Sequence, residues 1–406
     1  METYEMLRQR FFRRLFWTMV SLLSAALIMA WFFLNIGFSR EKVLARVTPA
    51  IKNSVRDYSV AKDSVNQTLS SPTNDWQFYP GDYRQQQIIG HSLPSGWRPY
   101  HQDSPWNSPI SPDIEIYPDS GKIIAEMEKE AKHLRLVKIY TPPIWVVNSI
   151  AMSGMPVRSN KIFDTWDQDK DGWTDSAVPI TPEMWGEPTE DGHIIIIDPF
   201  LMMAWEMSSF RWQQSQETQI PTATTFNMWD LKGKGYAKPF GGQRWHQRGG
   251  RGSGFPVLAG IIRPEELQAG EIRHALMFNY SKNRKGKDDK EIFIAPPACR
   301  SDGDFEGQYY PIEGMRFQLN PALTDTDFDH WGLSKEGKII AKALQRYGMF
   351  LGDNGGAMSL GIQLLGRTSQ QNLRLWEQRF PGLFAAVKRI PTREFRIIFT
   401  EFPLEG

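Results

Sequence analysis

Residues 15–36 form a run of 22 residues without a charged side chain, and no other feature limits the fold so sharply. As a helix the run is roughly 33 Å long, enough to cross a hydrocarbon core with every backbone polar group satisfied internally. Arg8, Arg10, Arg13 and Arg14 precede it, and Trp17 and Trp31 lie near its ends. The positive-inside rule keeps residues 1–14 as a cytoplasmic tail and puts the rest of the chain on the other side of the bilayer. Arg40, Lys42 and Arg46 pull the other way without reversing the orientation. The competing reading is a cleaved signal peptide. Against it stand the length of the apolar run and the lack of a small-x-small cleavage site just after it.

Residues 37–91 read as a polar, membrane-proximal stalk, and residues 92–406 as one extracytoplasmic domain. Hydrophobic residues make up 41% of the chain and aromatics 13%, the composition of a packed core rather than a disordered chain. Basic and acidic residues number 47 and 46, so no overall field draws the chain to nucleic acid. Cys299 is the single cysteine, which excludes an intrachain disulfide.

Apolar stripes at helical spacing predict helices over 121–136 and 334–347. Most other ordered stretches are short apolar runs bounded by Gly, Pro or Asp. They predict strands at 137–147, 193–198, 201–207, 256–262, 271–280, 291–295, 315–319, 358–364 and 395–402. Many strands and few helices give a mostly β fold, a β-sandwich of jelly-roll type with a few accessory helices. The four isoleucines 194–197 have no polar alternation, so that strand belongs in the middle of a sheet.

Asp167, Asp169, Asp171 and Asp175, with Gly172 between them, match the first nine positions of a calcium loop. Hard oxygen ligands at alternate positions converge on one cation while the glycine allows the tight turn. Val178 occupies the place of the closing glutamate, and Pro179 and Pro182 forbid an exiting helix. The loop therefore predicts a free-standing, structural calcium site with affinity near ~10⁻⁴ M. The bland alternative is an acidic surface turn.

Several longer motifs occur in a fixed order. They are Ser104-Pro-Trp-Asn-Ser-Pro-Ile110, Asp191-Gly-His-Ile-Ile-Ile-Ile-Asp198, Ala204-Trp-Glu206, and Arg263-Pro-Glu-Glu266 at the end of a Gly-rich apolar run. Ile272-Arg-His-Ala-Leu276, Pro311-Ile-Glu-Gly-Met-Arg316 and Ala343-Leu-Gln-Arg-Tyr-Gly348 with Asp353-Asn-Gly355 follow. In this order the chain resembles a group of secreted bacterial proteins without an established activity. The resemblance spans residues 104–356 and implies one extracytoplasmic β-rich domain. A link to jelly-roll polysaccharide lyases or lectins is an analogy of fold alone.

His274 falls on the apolar face of its predicted strand, either as a core histidine bonded to backbone or as a general base. Glu206 lies among Trp205 and Met207, where burial would suit it to proton transfer. With Arg273 they form the expected catalytic set. His193, Arg263, Asp353 and Asn354 are the expected ligand contacts. An extended strand separates His193 from Asp198 by roughly 17 Å, so those two cannot share a site. No GxSxG, HExxH, Walker A, GxGxxG or CxxC pattern is present, which argues against serine-hydrolase, zinc-protease, nucleotide-dependent and redox chemistry. Two functions remain. One is a lyase or hydrolase acting on envelope polysaccharide. The other is a calcium-stiffened domain that binds polysaccharide, or acts as a scaffold, without catalysis.

Overall fold

Four β-branched residues in a row, all carrying large apolar side chains, leave a strand no face to give to water. Ile194, Ile195, Ile196 and Ile197 are indeed all fully buried. The structure, a computed structural model, describes residues 86–94, 96–159, 170–215, 218–236, 250–285 and 297–399. In chain order its strands are β1 (Ile88–Gly90), β2 (Arg135–Leu136), β3 (Ile144–Val147), β4 (Arg158–Ser159), β5 (Ile194–Asp198), β6 (Met203–Ser208) and β7 (Arg211–Ser215). Then come β8 (Thr218–Ala223), β9 (Thr225–Asp230), β10 (Leu276–Tyr280), β11 (Arg316–Leu319), β12 (Met349–Asn354), β13 (Ser359–Leu360) and β14 (Phe395–Ile398). The helices are α1 (Ser120–Glu130), α2 (Pro264–Ala269), α3 (Asp325–His330), α4 (Lys335–Arg346), α5 (Ser369–Arg379) and α6 (Leu383–Val387).

One sheet runs β1-β3-β5-β6-β9 and a second β14-β11-β12-β10-β13-β2, with a small third sheet β4-β8-β7. As expected, β5 is interior, parallel to β3 and antiparallel to β6. The fold is β-rich, but its pairing is mixed where a jelly roll pairs antiparallel. β3 with β5, β10 with β12, β13 with β2 and β4 with β8 are parallel. Parallel neighbours need long crossovers, and helices α3 and α4 lie in the connection that returns the chain to β12.

Two cores follow from this arrangement. Around the second sheet, α1, α4, α5 and α6 contribute Met127, Ile340, Leu344, Trp376 and Leu383 to a core with Phe278, Phe317 and Leu351. Around the first sheet, Trp145, Ile194, Ile196, Met207 and Phe210 form the other. Helix α4 begins where its cap predicts, with Ser334 Oγ accepting from Gly337 N at 3.1 Å.

The irregular segment 251–263 touches both sheets. Its backbone N–H groups at Val257 and Leu258 donate to Glu206 on β6, and Ser253 Oγ donates to the Gly352 carbonyl on β12. The strand expected over 256–262 does not form. Gly260 has φ +71, and a Cβ there would lie 2.4 Å from Met277 N, so the chain turns tightly against β10 instead of extending. Strand β1 pairs with β3, which moves the end of the expected stalk back before residue 88; the compact unit begins at Gln87. Among the described residues no helix is long and apolar enough to cross a membrane. The expected anchor 15–36 and strand 291–295 lie outside the described residues.

Candidate active site

The start of β5, the end of β6 and the end of β12 meet at a polar pocket of about 420 Å³. Asp191, His193, Ser209, Arg251, Asp302 and Asp353 are among its lining residues. The strand register explains part of this convergence. Ile194 pairs with Met207, so His193 stands opposite Ser208 where these two interior strands end.

His193 does not stand alone. Its Nδ1 lies 3.0 Å from Glu187 Oε2, whose side chain is completely buried. Thr189 Oγ1 donates to the other carboxylate oxygen at 2.8 Å, and His193 N donates to Oε2 at 3.3 Å. A carboxylate on Nδ1 holds the ring in one orientation and leaves Nε2 for the pocket, as a general base requires.

On the facing side, Asp353 Oδ1 accepts from Gly252 N at 3.1 Å, and Oδ2 lies 4.0 Å from Arg251 Nη1. Burial pushes the Asp353 carboxyl up, Arg251 offsets part of this and Asp302 adds to it, with a net value of about 6. Asp353 therefore exchanges its proton near neutral pH. The Arg251 guanidinium is itself lowered by burial and supported by Asp353 and Glu206; its Nη2 donates to the Val257 carbonyl at 3.0 Å. Gly252 allows the close approach, since a Cβ there would sit 2.2 Å from Asp302 Oδ1.

Of the expected ligand contacts, His193 and Asp353 line this pocket. Asn354 lies beside it, with Nδ2 donating to the Asp302 carbonyl at 2.7 Å. Arg263 lies elsewhere, buried, with its guanidinium 5.4 Å from the Trp97 ring centre and 2.7 Å from Glu266 Oε1. The expected catalytic set is not brought to the pocket. Glu206 is fully buried, and its oxygens accept from Trp229 Nε1, Val257 N and Leu258 N at 2.9, 2.8 and 2.8 Å. Burial raises its carboxyl, as the sequence suggests, but those three donors occupy it as a structural acceptor. His274 is a core histidine, with Nδ1 2.9 Å from the Ala275 carbonyl and Nε2 2.9 Å from Glu266 Oε1. Arg273 is exposed, and its carbonyl accepts from Arg98 Nη1 at 3.0 Å.

Arg263, Glu266 and His274 instead form a buried staple that ties the start of α2 to the approach to β10. Burial pushes the Glu266 carboxyl up, but Arg263 and His274 beside it pull it down further, to about 2. The folded value is depressed, so the stabilisation is full above the unfolded carboxylate value and is lost as pH falls through the folded one. Acid titration of Glu266→Gln should therefore remove a stability loss of roughly 3 kcal/mol that the parent chain shows between about pH 4.5 and pH 2. Parallel acid-unfolding curves for parent and variant would refute this assignment.

Asp171 and Asp175 of the expected calcium loop are exposed, with Lys170 and Gly172 at φ +61 and +87. Asp167 and Asp169 lie outside the described residues. The residues that sequence reasoning passed over are Glu187, Asp191, Arg251, Asp302 and Glu313. Asp191 and Glu313 fall within the ordered motifs quoted above, whereas Arg251 and Asp302 lie outside them and carry no local signal of a pocket.

No protein-family model matches the chain, and comparison with curated proteins and with solved structures finds no significant match.

Proposed function

We propose that this is a carbohydrate-active enzyme that cleaves glycosidic bonds in envelope or external polysaccharide, with the pocket at His193 and Asp353 as its active site. The observation that carries the reading is the pairing of two differently supported proton carriers on one polar pocket. His193, held by Glu187, takes a proton from the attacking water in hydrolysis or from the sugar carbon in elimination. Asp353, protonated below about pH 6, donates to the leaving oxygen. The polar lining suits a hydroxyl-rich substrate, and a cavity of about 420 Å³ admits a sugar unit rather than a bulky apolar ligand.

The reading extends to the rest of the chain. Residues 15–36 anchor the protein in a membrane, the N-terminus stays cytoplasmic and the domain acts outside. The two larger sheets act as the layers of a sandwich-like scaffold, a reading supported by the segment 251–263 that bonds to both. The Asp167–Asp175 loop holds a structural calcium ion.

Release of reducing ends from a panel of polysaccharides by the full-length protein in detergent tests the activity. Cleavage that disappears in His193→Ala supports it; cleavage equal in parent and variant refutes the assignment. For calcium, millimolar calcium should raise the unfolding temperature and Asp171→Asn should blunt the rise. An unfolding temperature indifferent to calcium and chelator removes the metal. For the anchor, the full-length protein should stay in the pellet after alkaline carbonate washing, and its appearance in the wash would exclude membrane integration.

A further inference from the structure

Behind the pocket lies a carboxyl group that the proposed reaction does not use. Glu313 is fully buried, just ahead of β11. Its Oε1 accepts from Asn283 Nδ2 at 3.0 Å, and its Oε2 accepts from Asp302 N at 3.2 Å. Asn283, also fully buried, uses the same Nδ2 on the Asp353 carbonyl at 3.0 Å. One amide thus ties Glu313 to the strand that carries the pocket's acid.

Ser301 and Asp302 face Glu313 from the segment before it, Asp353 from β12, and Asn283 from the segment after β10. Of the nearby cations, Lys282 pairs with Glu130, Arg251 lies 4.0 Å from Asp353, and Arg300 Nη2 donates to the Arg251 carbonyl at 2.8 Å. Three carboxyls in so small a volume, one of them without water, cannot all be ionised. Burial, then Asp302 and Asp353, push the Glu313 carboxyl far above the usual range.

We propose that Glu313 is a positioning residue, a neutral carboxylic acid whose proton is donated to Asp302, so that Asp302 is held as an acceptor and Asp353 is left as the pocket's exchanging acid. The division of labour rests on the pocket reading above, but the protonation of Glu313 is testable without any substrate. Glutamine has the shape and neutrality of a protonated glutamate and keeps a donor for Asp302, while its NH2 cannot accept from Asp302 N as Oε2 does; Glu313→Gln therefore mimics the proposed charge state at a cost that does not vary with pH. Alanine removes the donor and leaves a void.

Infrared spectroscopy of the full-length protein at neutral pH separates protonated from ionised carboxyls. The parent is expected to show a protonated-carboxyl carbonyl band that is absent from Glu313→Gln, while any band common to both spectra belongs to other acids. Unfolding equilibria give the second readout. A folded acid value raised above the unfolded one makes the parent lose stability as pH rises above about 4.5, by up to tenfold in the folding constant per pH unit. Glu313→Gln escapes that loss, so its advantage over the parent should widen with pH. A purely structural role would give a pH-independent difference. If Glu313→Ala does not fold, the glutamine variant alone decides. Identical infrared spectra, or a constant difference in stability across pH, overturns the proposal. Loss of the band with no polysaccharide cleavage in the parent would uphold the neutral Glu313 and refute the proposed enzyme.

Discussion

Asp353→Asn is expected to lower the rate of polysaccharide cleavage about 10²- to 10⁴-fold, the usual contribution of a positioned general acid. Asparagine retains the size of the side chain and can still accept from Gly252 N, but it has no proton to give to a leaving oxygen. The parent should lose activity as pH rises through about 6, where Asp353 ionises. The residual activity of the variant should lack that limb. The same substitution should not harm the fold. Asp353 has a raised folded value, so the parent loses stability as pH climbs from about 4 to about 6, and asparagine avoids the loss. The side chain remains 23% exposed, and water screening limits the gain at pH 7 to no more than about 2 kcal/mol. An inactive yet stabilised variant separates chemistry from folding. Full activity in Asp353→Asn, or an unchanged pH limb, would remove Asp353 from the mechanism.

Glu206→Ala is expected to destabilise the domain by about 4 kcal/mol in chemical denaturation. The wild-type carboxylate accepts from Trp229 Nε1, Val257 N and Leu258 N, and its loss leaves three buried donors unpaired at about 1–3 kcal/mol each before relaxation. Glu206→Gln should cost about half as much, because its amide must turn a donor toward another donor. The damage should also reach the pocket. Val257 and Leu258 anchor the segment that carries Arg251, whose Nη2 donates to the Val257 carbonyl, so cleavage should weaken in the glutamine variant even where it is folded. A cost below about 1 kcal/mol for alanine would mean that the three donors find other partners, and that Glu206 does not hold the first sheet to the segment 251–263.

Local chemistry was readable wherever one residue type left the chain a single option. Helix α4 starts at its serine cap, and the four isoleucines give an interior strand. Other elements had no such signal. The antiparallel pair β7–β8 is mostly Arg, Gln, Ser and Thr, and only its last residues are buried. Helix α5 buries only Asn372 and Trp376, so no apolar stripe marks it. Parallel pairing depends on where crossovers return, which local periodicity does not encode.

Taken alone, the amino-acid order determined the β-rich class, the separation of His193 from Asp198 along one strand, and a shortlist of polar residues in which His193 and Asp353 already stood. Local sequence decides these because strand geometry and burial patterns act over a few residues. Which of those side chains share a pocket, and which are spent as buried acceptors, was decided only when β5, β6 and β12 came together. Glu206 and His274 carry the same local promise as His193, and what separates them is the set of hydrogen-bond partners supplied by segments distant in sequence. Desolvation and neighbouring charge act through space rather than along the chain, so the assignment of acid, base and structural carboxyl belongs to the tertiary structure.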